Sequence, residues 1–280
     1  MRDIHPTAQV DANAQLGKDV YVGPFCLIGP NVSLGDGCKL IANVHIAGRT
    51  TIGPGCTVHS GAVLGGPPQI LGYGGEETRL KIGANCVIRE HVTIDGTTTE
   101  GCLTRVGSNG FFMTKSHIAH DCEVGDGAIF ANGATLAGHC TLGTNVFLSG
   151  NVMVHQFSHI GRDAIVGGGA IVIGDIIPFG RAFGAPARLV GINIVGLKRR
   201  DCPSQSIAAI RRAYRLLFLG QGLIDARLKN AEDACGSDAY VNDMLDFIRQ
   251  PRKRPLCPAR MAPSAIKGSD ERGEEGAGES

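Results

Sequence analysis

The stretch IAHDCEVGDGAIFANGATLAGHCTLGTNVFLSGNVMVHQF, residues 118–157, decides the fold. Within it Ile118, Val124, Phe130, Leu136, Leu142, Leu148 and Val154 recur at every sixth position. Carried back to Ile4 and on to Val172, the same step meets 29 positions, and 27 of them are Ile, Val, Leu or Phe. The exceptions, Glu76 and Glu100, fall in stretches that read as loops. A glycine often follows the large apolar residue, as at Gly17, Gly53 and Gly125, and a small or apolar residue sits four places on, as at Ala62 and Val146. An apolar residue at every sixth place cannot line a helix of 3.6 residues per turn. It suits short strands joined by tight turns, each burying one large side chain. Such a unit cannot bury its face alone, so units must stack into a column.

This pattern resembles the hexapeptide repeat of left-handed parallel β-helices, in which three hexads make one triangular coil. The handedness comes from that resemblance; the spacing gives the stacking. Nine to ten coils at ~4.8 Å make a column of roughly 45 Å. The fold class is therefore mainly β, a left-handed parallel β-helix over 1–190 followed by a small α-helical domain over 191–250. Two stretches interrupt the coils: 66–79 (GPPQILGYGGEETR) and 95–105 (DGTTTEGCLTR). Loops expelled from a rigid column usually carry function. Residues 176–191 form an exit segment without period. Beyond it Ile207, Ile210, Tyr214 and Leu217 share one helical face, with Ser204 as N-cap and Gly220 as stop. Further helices are expected over 221–233 and 237–249. The tail, 251–280, is rich in Pro, Gly and charge and reads as disordered.

The chain has 280 residues, a net charge of +1 and a pI near 7.6, so bulk charge selects no partner class and does not suggest nucleic acid. No apolar run is long enough for a membrane span. The opening residues, MRDIHPTAQV, lack the apolar segment of a secretory leader, which makes a cytoplasmic location the expectation. Of the ten cysteines, Cys26, Cys38, Cys56, Cys86, Cys122 and Cys140 occupy the small inward position, where thiols act as compact hydrophobes rather than as disulfides or zinc ligands.

Three histidines mark the candidate site. Ile118, Leu136 and Val154 are three hexads apart and so stack on successive coils. His120, His139 and His155 follow them by two, three and one places and should lie on one face, with His117 near the corner leading into it. Histidine is a natural general base near neutral pH. Asp121 could orient the His120 ring, and a glycine at Gly138 lets a backbone N–H approach a substrate as an oxyanion donor must. Two other readings of the stripe are solvated surface histidines and a three-imidazole zinc site.

HIAHD (117–121), TLAGH (135–139), VHQF (154–157) and GINIVGLKRR (191–200) resemble the acyl-carrier-protein–UDP-N-acetylglucosamine O-acyltransferase family of lipid A synthesis, over about residues 1–250. The resemblance implies transfer of an (R)-3-hydroxyacyl group from acyl carrier protein to the sugar 3-hydroxyl, without metal or cofactor. It implies His120 as general base with Asp121 as partner and the Gly138 N–H as oxyanion donor. Gln69, His117, His139, His155, Gln156, Asn193 and Arg199 would bind the nucleotide sugar or the acyl donor. Gly168 would set acyl-chain length, its small size predicting a longer chain. A homotrimer with sites between subunits is also implied. Lys198, Arg199, Arg200, Arg211, Arg212 and Arg215 form a basic cluster suited to an acidic carrier protein.

The chain departs from the family pattern at four places. Ile70 and Gly72 stand where the family usually has Asp and Lys, Asp95 where it has a histidine, and Val195 where it has a Glu. These departures bear on the acceptor and leave His120, Asp121 and Gly138 untouched. They keep open a 3-amino variant sugar nucleotide as acceptor. N-acylation of an acylated glucosamine nucleotide, and a trimeric zinc carbonic anhydrase on the same column, are the remaining alternatives.

Overall fold

A computed structural model describes residues 3–98 and 102–260. Its larger part is a left-handed parallel β-helix. Most strands are very short, a single pair of residues, and every third strand stacks on the last, giving three parallel sheets of 11, 9 and 8 strands. The repeat explains this geometry. In nearly every hexad the large apolar residue ends the strand and points inward: Ile28, Ile46, Phe112 and Leu136 are all fully buried. The small position closes the core at the corners, where the six predicted cysteines are buried and free. Several of their thiols donate to backbone carbonyls of the next coil, Cys56 to Gly83 at 3.1 Å and Cys122 to Ala137 at 3.2 Å. A thiol at this position therefore fills volume and also meets a carbonyl that the turn leaves without a ladder partner.

The two loops leave their mark on the register. Ile4 pairs with Val22, three hexads on. Across the first loop Leu64 pairs with Ile94, five hexads on, and across the second Ile94 pairs with Ile118, four hexads on. The insertions are thus two hexads and one hexad long. The apolar step keeps phase through the loops for that reason, although Ile70 is an exposed loop residue and no part of a coil. The second loop includes residues 99–101, which lie outside the described set.

The exit segment, without period in the sequence, forms an antiparallel hairpin of Gly180–Phe183 and Arg188–Ile192 on the end of the 11-stranded sheet. Four helices follow among the described residues: α1 (Ile194–Arg199), α2 (Ser204–Phe218), α3 (Ile224–Cys235) and α4 (Ala239–Arg249). Ile207, Ile210, Tyr214 and Leu217 of α2 are buried, as their spacing predicts. Ser204 begins the helix rather than capping it. Asp238 caps α4 by accepting from the backbone N–H groups of Tyr240 and Val241. Arg162 fastens α4 to the column: its guanidinium lies over the rings of Phe179 and Tyr240 and pairs with Asp243.

The expectation of disorder from residue 251 is corrected for 251–260. Asp175 bridges to Leu256 and Leu189 to Ala259, and Cys257 is buried. Proline and charge make this segment look unable to fold alone. It is instead held by backbone hydrogen bonds at the end of the column, donated by Asp175 N–H to Pro255 O, Cys257 N–H to Asp175 O, Leu189 N–H to Pro258 O and Arg260 N–H to Leu189 O. Residues 261–280 lie outside the described set. No helix among the described residues is long and apolar enough to cross a membrane.

Candidate active site

The three histidines form one stripe, but at a corner of the column rather than on a flat face. With such short strands, the places just after the large apolar residue already lie in the turn from the 9-stranded to the 8-stranded sheet. Asp121, His139 and Phe157 occupy one level of that turn in three successive coils, all with left-handed φ (56°, 58° and 66°). His117, expected at a corner, is the outward residue of its strand, paired in register with Thr93 and Thr135.

His120 is nearly buried, and its Nδ1 lies 2.8 Å from Asp121 Oδ2. Burial alone would raise the Asp121 pKa. Hydrogen bonds from Thr98 and His120, with His139 nearby, more than offset that and hold the carboxyl below its ordinary value. The Thr98 hydroxyl donates to Oδ2 at 2.7 Å, and the Asp121 N–H is fixed on Thr104 Oγ1 at 2.9 Å. An ionised Asp121 requires a proton on His120 Nδ1, which leaves Nε2 with the lone pair of a base.

Gly138 lies directly against this ring. A Cβ built on Gly138 would meet His120 Cε1 at 2.4 Å and Nε2 at 2.6 Å. Only glycine admits the ring here. Its N–H makes no hydrogen bond to the described residues, so a donor stands unspent beside the basic nitrogen.

His139 stands edge-on to His120, with centroids 5.1 Å apart at 86°, and its Nε2 is 3.7 Å from Asp121 Oδ2. Its other face stacks on Phe157 at 4.8 Å. Burial lowers the His139 pKa, opposed by Asp121 and reinforced by His120 and Lys253. His155 is turned to other work: its Nδ1 lies 2.7 Å from the Arg254 guanidinium. His120, Asp121 and His139 offer ligand atoms within 4.8 Å of one another. The three-imidazole zinc reading needed His155 in that set, and a cation holds it elsewhere.

The first loop brings Gln69 to the site. Gln69 lies beside Asp95, whose Oδ2 is 3.9 Å from His117 Nε2. Burial raises the Asp95 pKa against the pull of His117 and Gln69, and its Oδ2 has no hydrogen-bond partner among the described residues. Burial likewise lowers the pKa of His117, with Asp95 opposing. Gln156 borders the corner through its carbonyl, which accepts from Arg254 Nε at 2.9 Å.

Two expected binders stand apart from this cluster. The Asn193 side chain accepts from Gly196 N–H at 3.0 Å as the cap of α1 and donates to Asp163 O at 2.8 Å. Its amide is spent on structure. Arg199 is exposed in the last turn of α1 and makes no hydrogen bond or ion pair with the cluster among the described residues. Gly168 is exposed on the adjacent corner, where a Cβ would meet only Gly150 O at 3.4 Å. Sequence reasoning passed over Thr98, Phe157, Lys253 and Arg254 as site residues. Phe157, one full coil beyond His139, carried a readable signal. The two basic residues of the end segment carried none, since nothing in their own spacing ties them to the coil.

Comparisons with known proteins agree with the fold. Residues 31–66 match the family described as bacterial transferase hexapeptide (six repeats), and residues 175–257 the family described as UDP N-acetylglucosamine O-acyltransferase, domain 2. An acyl-carrier-protein–UDP-N-acetylglucosamine O-acyltransferase of Azorhizobium caulinodans is 51% identical over 91% of this chain and 94% of its own length. That of Caulobacter vibrioides is 49% identical over 91% and 97%. A UDP-N-acetylglucosamine acyltransferase structure from Bacteroides fragilis superposes with a TM-score of 0.88 at 36% identity, covering 90% of this chain and 99% of that one. With a histidine-bearing β-helix corner and near full-length matches on both sides, the chain belongs to the acyl-carrier-protein–UDP-N-acetylglucosamine O-acyltransferase family.

Proposed function

We propose that this protein transfers an (R)-3-hydroxyacyl group from acyl carrier protein to the 3-hydroxyl of UDP-N-acetylglucosamine, the first step of lipid A synthesis, as a cytoplasmic homotrimer. The observation that carries the reading is the His120–Asp121 pair set against the unspent N–H of Gly138. His120 Nε2 takes the proton of the sugar hydroxyl as its oxygen attacks the thioester carbonyl. The Gly138 N–H receives the negative charge that forms on the carbonyl oxygen. When the C–S bond breaks, the carrier's sulfur leaves and takes the proton back from His120. The products are the sugar ester and the free carrier thiol.

The surroundings suit these substrates. Met153 and Ile171 pair in register and are exposed on the 9-stranded face, with Ile173 beside them. This apolar strip runs from the histidine corner toward Gly168 and fits an acyl chain. Arg181, Arg211 and Arg215 line one groove with Val190 and Leu219, a mixture of charge and apolar surface fit for an acidic carrier. His139, Gln69 and His117 are the acceptor's neighbours in this reading, and Arg199 would reach it from an adjoining subunit.

The test is product analysis with purified enzyme, 3-hydroxyacyl carrier protein and UDP-N-acetylglucosamine. The ester should form, and His120→Ala should lower turnover ~10²–10⁴-fold. Full turnover by His120→Ala would overturn the assignment of the base.

One observation favours a second acceptor. Asp95 presents a buried carboxylate oxygen, without a partner among the described residues, beside His117 and Gln69. An amine in place of the 3-hydroxyl has a second hydrogen to give such an oxygen once the first faces His120 Nε2. Competition between UDP-N-acetylglucosamine and its 3-amino analogue decides this; preference for the plain sugar removes the second reading.

A further inference from the structure

The segment after α4 reaches back to the histidine corner, and nothing in the reaction described above uses it. Arg254 there touches two expected binding residues at once. Its Nε donates to Gln156 O at 2.9 Å, and its NH2 group lies 2.7 Å from His155 Nδ1. One residue earlier, the Lys253 ammonium sits 4.3 Å above the ring of Phe157, which stacks on His139.

The chemistry of these contacts fixes a hydrogen position. A guanidinium is always charged and only donates. The ring nitrogen facing it must therefore accept. A proton on His155 Nδ1 would set donor against donor at hydrogen-bond range. The alternative partner for such a proton, Gln156 O, is 3.2 Å from Nδ1 and already receives the shorter bond from Arg254 Nε. Both arrangements of the ring that place hydrogen on Nδ1 are thereby disfavoured by the same side chain.

We propose that Arg254 is a positioning residue that holds His155 as the Nε2–H tautomer, so that the outer ring nitrogen is a hydrogen-bond donor toward an oxygen of the bound substrate. This role rests on His155 being a substrate-binding residue. His155 and His120 then carry opposite tautomers on one corner. Asp121 puts the proton of His120 on Nδ1 and frees Nε2 as a base, while Arg254 empties Nδ1 of His155 and makes Nε2 a donor. An anion selects the catalytic form and a cation selects the binding form. The Arg254 backbone need not move when its side chain is cut, because the segment is pinned independently by the backbone bonds at Asp175 and Leu189.

The experiment uses full-length protein with ¹⁵N-labelled histidine, the His155 signals being assigned by their loss in His155→Gln. At pH 8 wild type should show His155 protonated on Nε2 and unprotonated on Nδ1. Arg254→Ala should show mixed tautomers, and the KM of one substrate should rise about tenfold with kcat changed less than twofold. Arg254→Lys, which keeps charge but loses the two-pronged contact, should restore the tautomer only in part. His155→Ala combined with Arg254→Ala should be no worse than His155→Ala alone. An unchanged His155 tautomer in Arg254→Ala overturns the inference. If the tautomer shifts but His155→Ala leaves KM unchanged, the binding role of His155 fails and the clamp stands as structure alone. Circular dichroism of Arg254→Ala guards against a folding defect, and the wild-type tautomer by itself sinks the idea if Nδ1 carries the proton.

Discussion

The ring of His120 occupies the space that a side chain at Gly138 would need, with Cε1 2.4 Å and Nε2 2.6 Å from the position of a Cβ. The glycine is therefore doubly constrained: it yields room for the base and offers its N–H beside it. Gly138→Ala keeps the N–H, but its Cβ would push the His120 ring out of place, so kcat should fall by ~10²–10⁴-fold, the range for loss of the general base. Its φ lies outside the left-handed region, so any loss of thermal stability should come from the clash with the His120 ring and not from the backbone. The double variant with His120→Ala should be scarcely worse than His120→Ala, because both act on one unit. Additive losses in steady-state kinetics would contradict this.

Asp121 links catalysis to stability. Its folded carboxyl titrates below the ordinary value, so the ionised form is favoured by folding. That contribution is present above the ordinary carboxylate pKa, ~3.9, and is lost as pH falls through the lower folded value. In urea unfolding, the stability gap between wild type and Asp121→Asn should be open at pH 7 and should close as pH falls below about 4. At neutral pH the same variant should lose turnover on the order of 10⁴-fold, as expected when a base loses the acceptor that sets its tautomer.

Asp95 has the opposite sign. Burial raises its pKa, with His117 and Gln69 opposing, so folding favours the protonated form. Its contribution is full below the ordinary carboxylate pKa and is lost as pH rises through the folded value. Asp95→Asn should therefore be at least as stable as wild type at pH 8, with the advantage fading toward pH 4. A clear loss of stability at pH 8 would show that the carboxylate has a partner the geometry does not reveal.

Gly168 is exposed where the apolar strip of Met153 and Ile171 ends, and open space surrounds it apart from Gly150 O. Gly168→Met should shift the preferred donor to shorter acyl chains by several carbons while sparing kcat for the short donor. A panel of 3-hydroxyacyl carrier proteins measures this, and an unchanged chain preference would remove Gly168 from the groove.

Arg211 and Arg215 line the groove at the junction of hairpin and α2. Reversing both to Glu should raise KM for the acyl carrier protein tenfold or more and flatten its dependence on salt, with KM for the nucleotide sugar unchanged. Equal effects on both substrates would argue against a docking role.

How much of this was readable from the chain depended on the length scale. The column followed from one residue type at one spacing, because a coil of three short strands leaves no freedom in where the large side chain goes. The corner was half readable. Counting by whole coils brought His120, His139 and His155 together, but it could not tell face from turn, since such short strands place their flanking residues in the corners. The same counting fails across the loops, where Leu64 pairs with Ile94, five hexads away instead of three. Gln69 and Asp95 meet because the first insertion leaves the column at Gly66, which pairs with Asp95. Arg254 was invisible for a different reason: it approaches from the far end of the chain, through helices whose placement no repeat dictates. Asn193 shows the converse, a motif residue whose amide turned out to be occupied in a helix cap.

The end segment has one more consequence. A stack of parallel strands terminates in a row of unpaired backbone donors and acceptors, a surface on which another stack can continue. Here the residues around Pro255 and Pro258 lie over that rim, with prolines that have no N–H to offer to a further strand. The chain thus ends its own lengthening. Removing it after Gln250 should turn a discrete particle into one that polymerises end to end, visible as concentration-dependent growth in light scattering. An unchanged particle size would show that the helices alone stop the fibre.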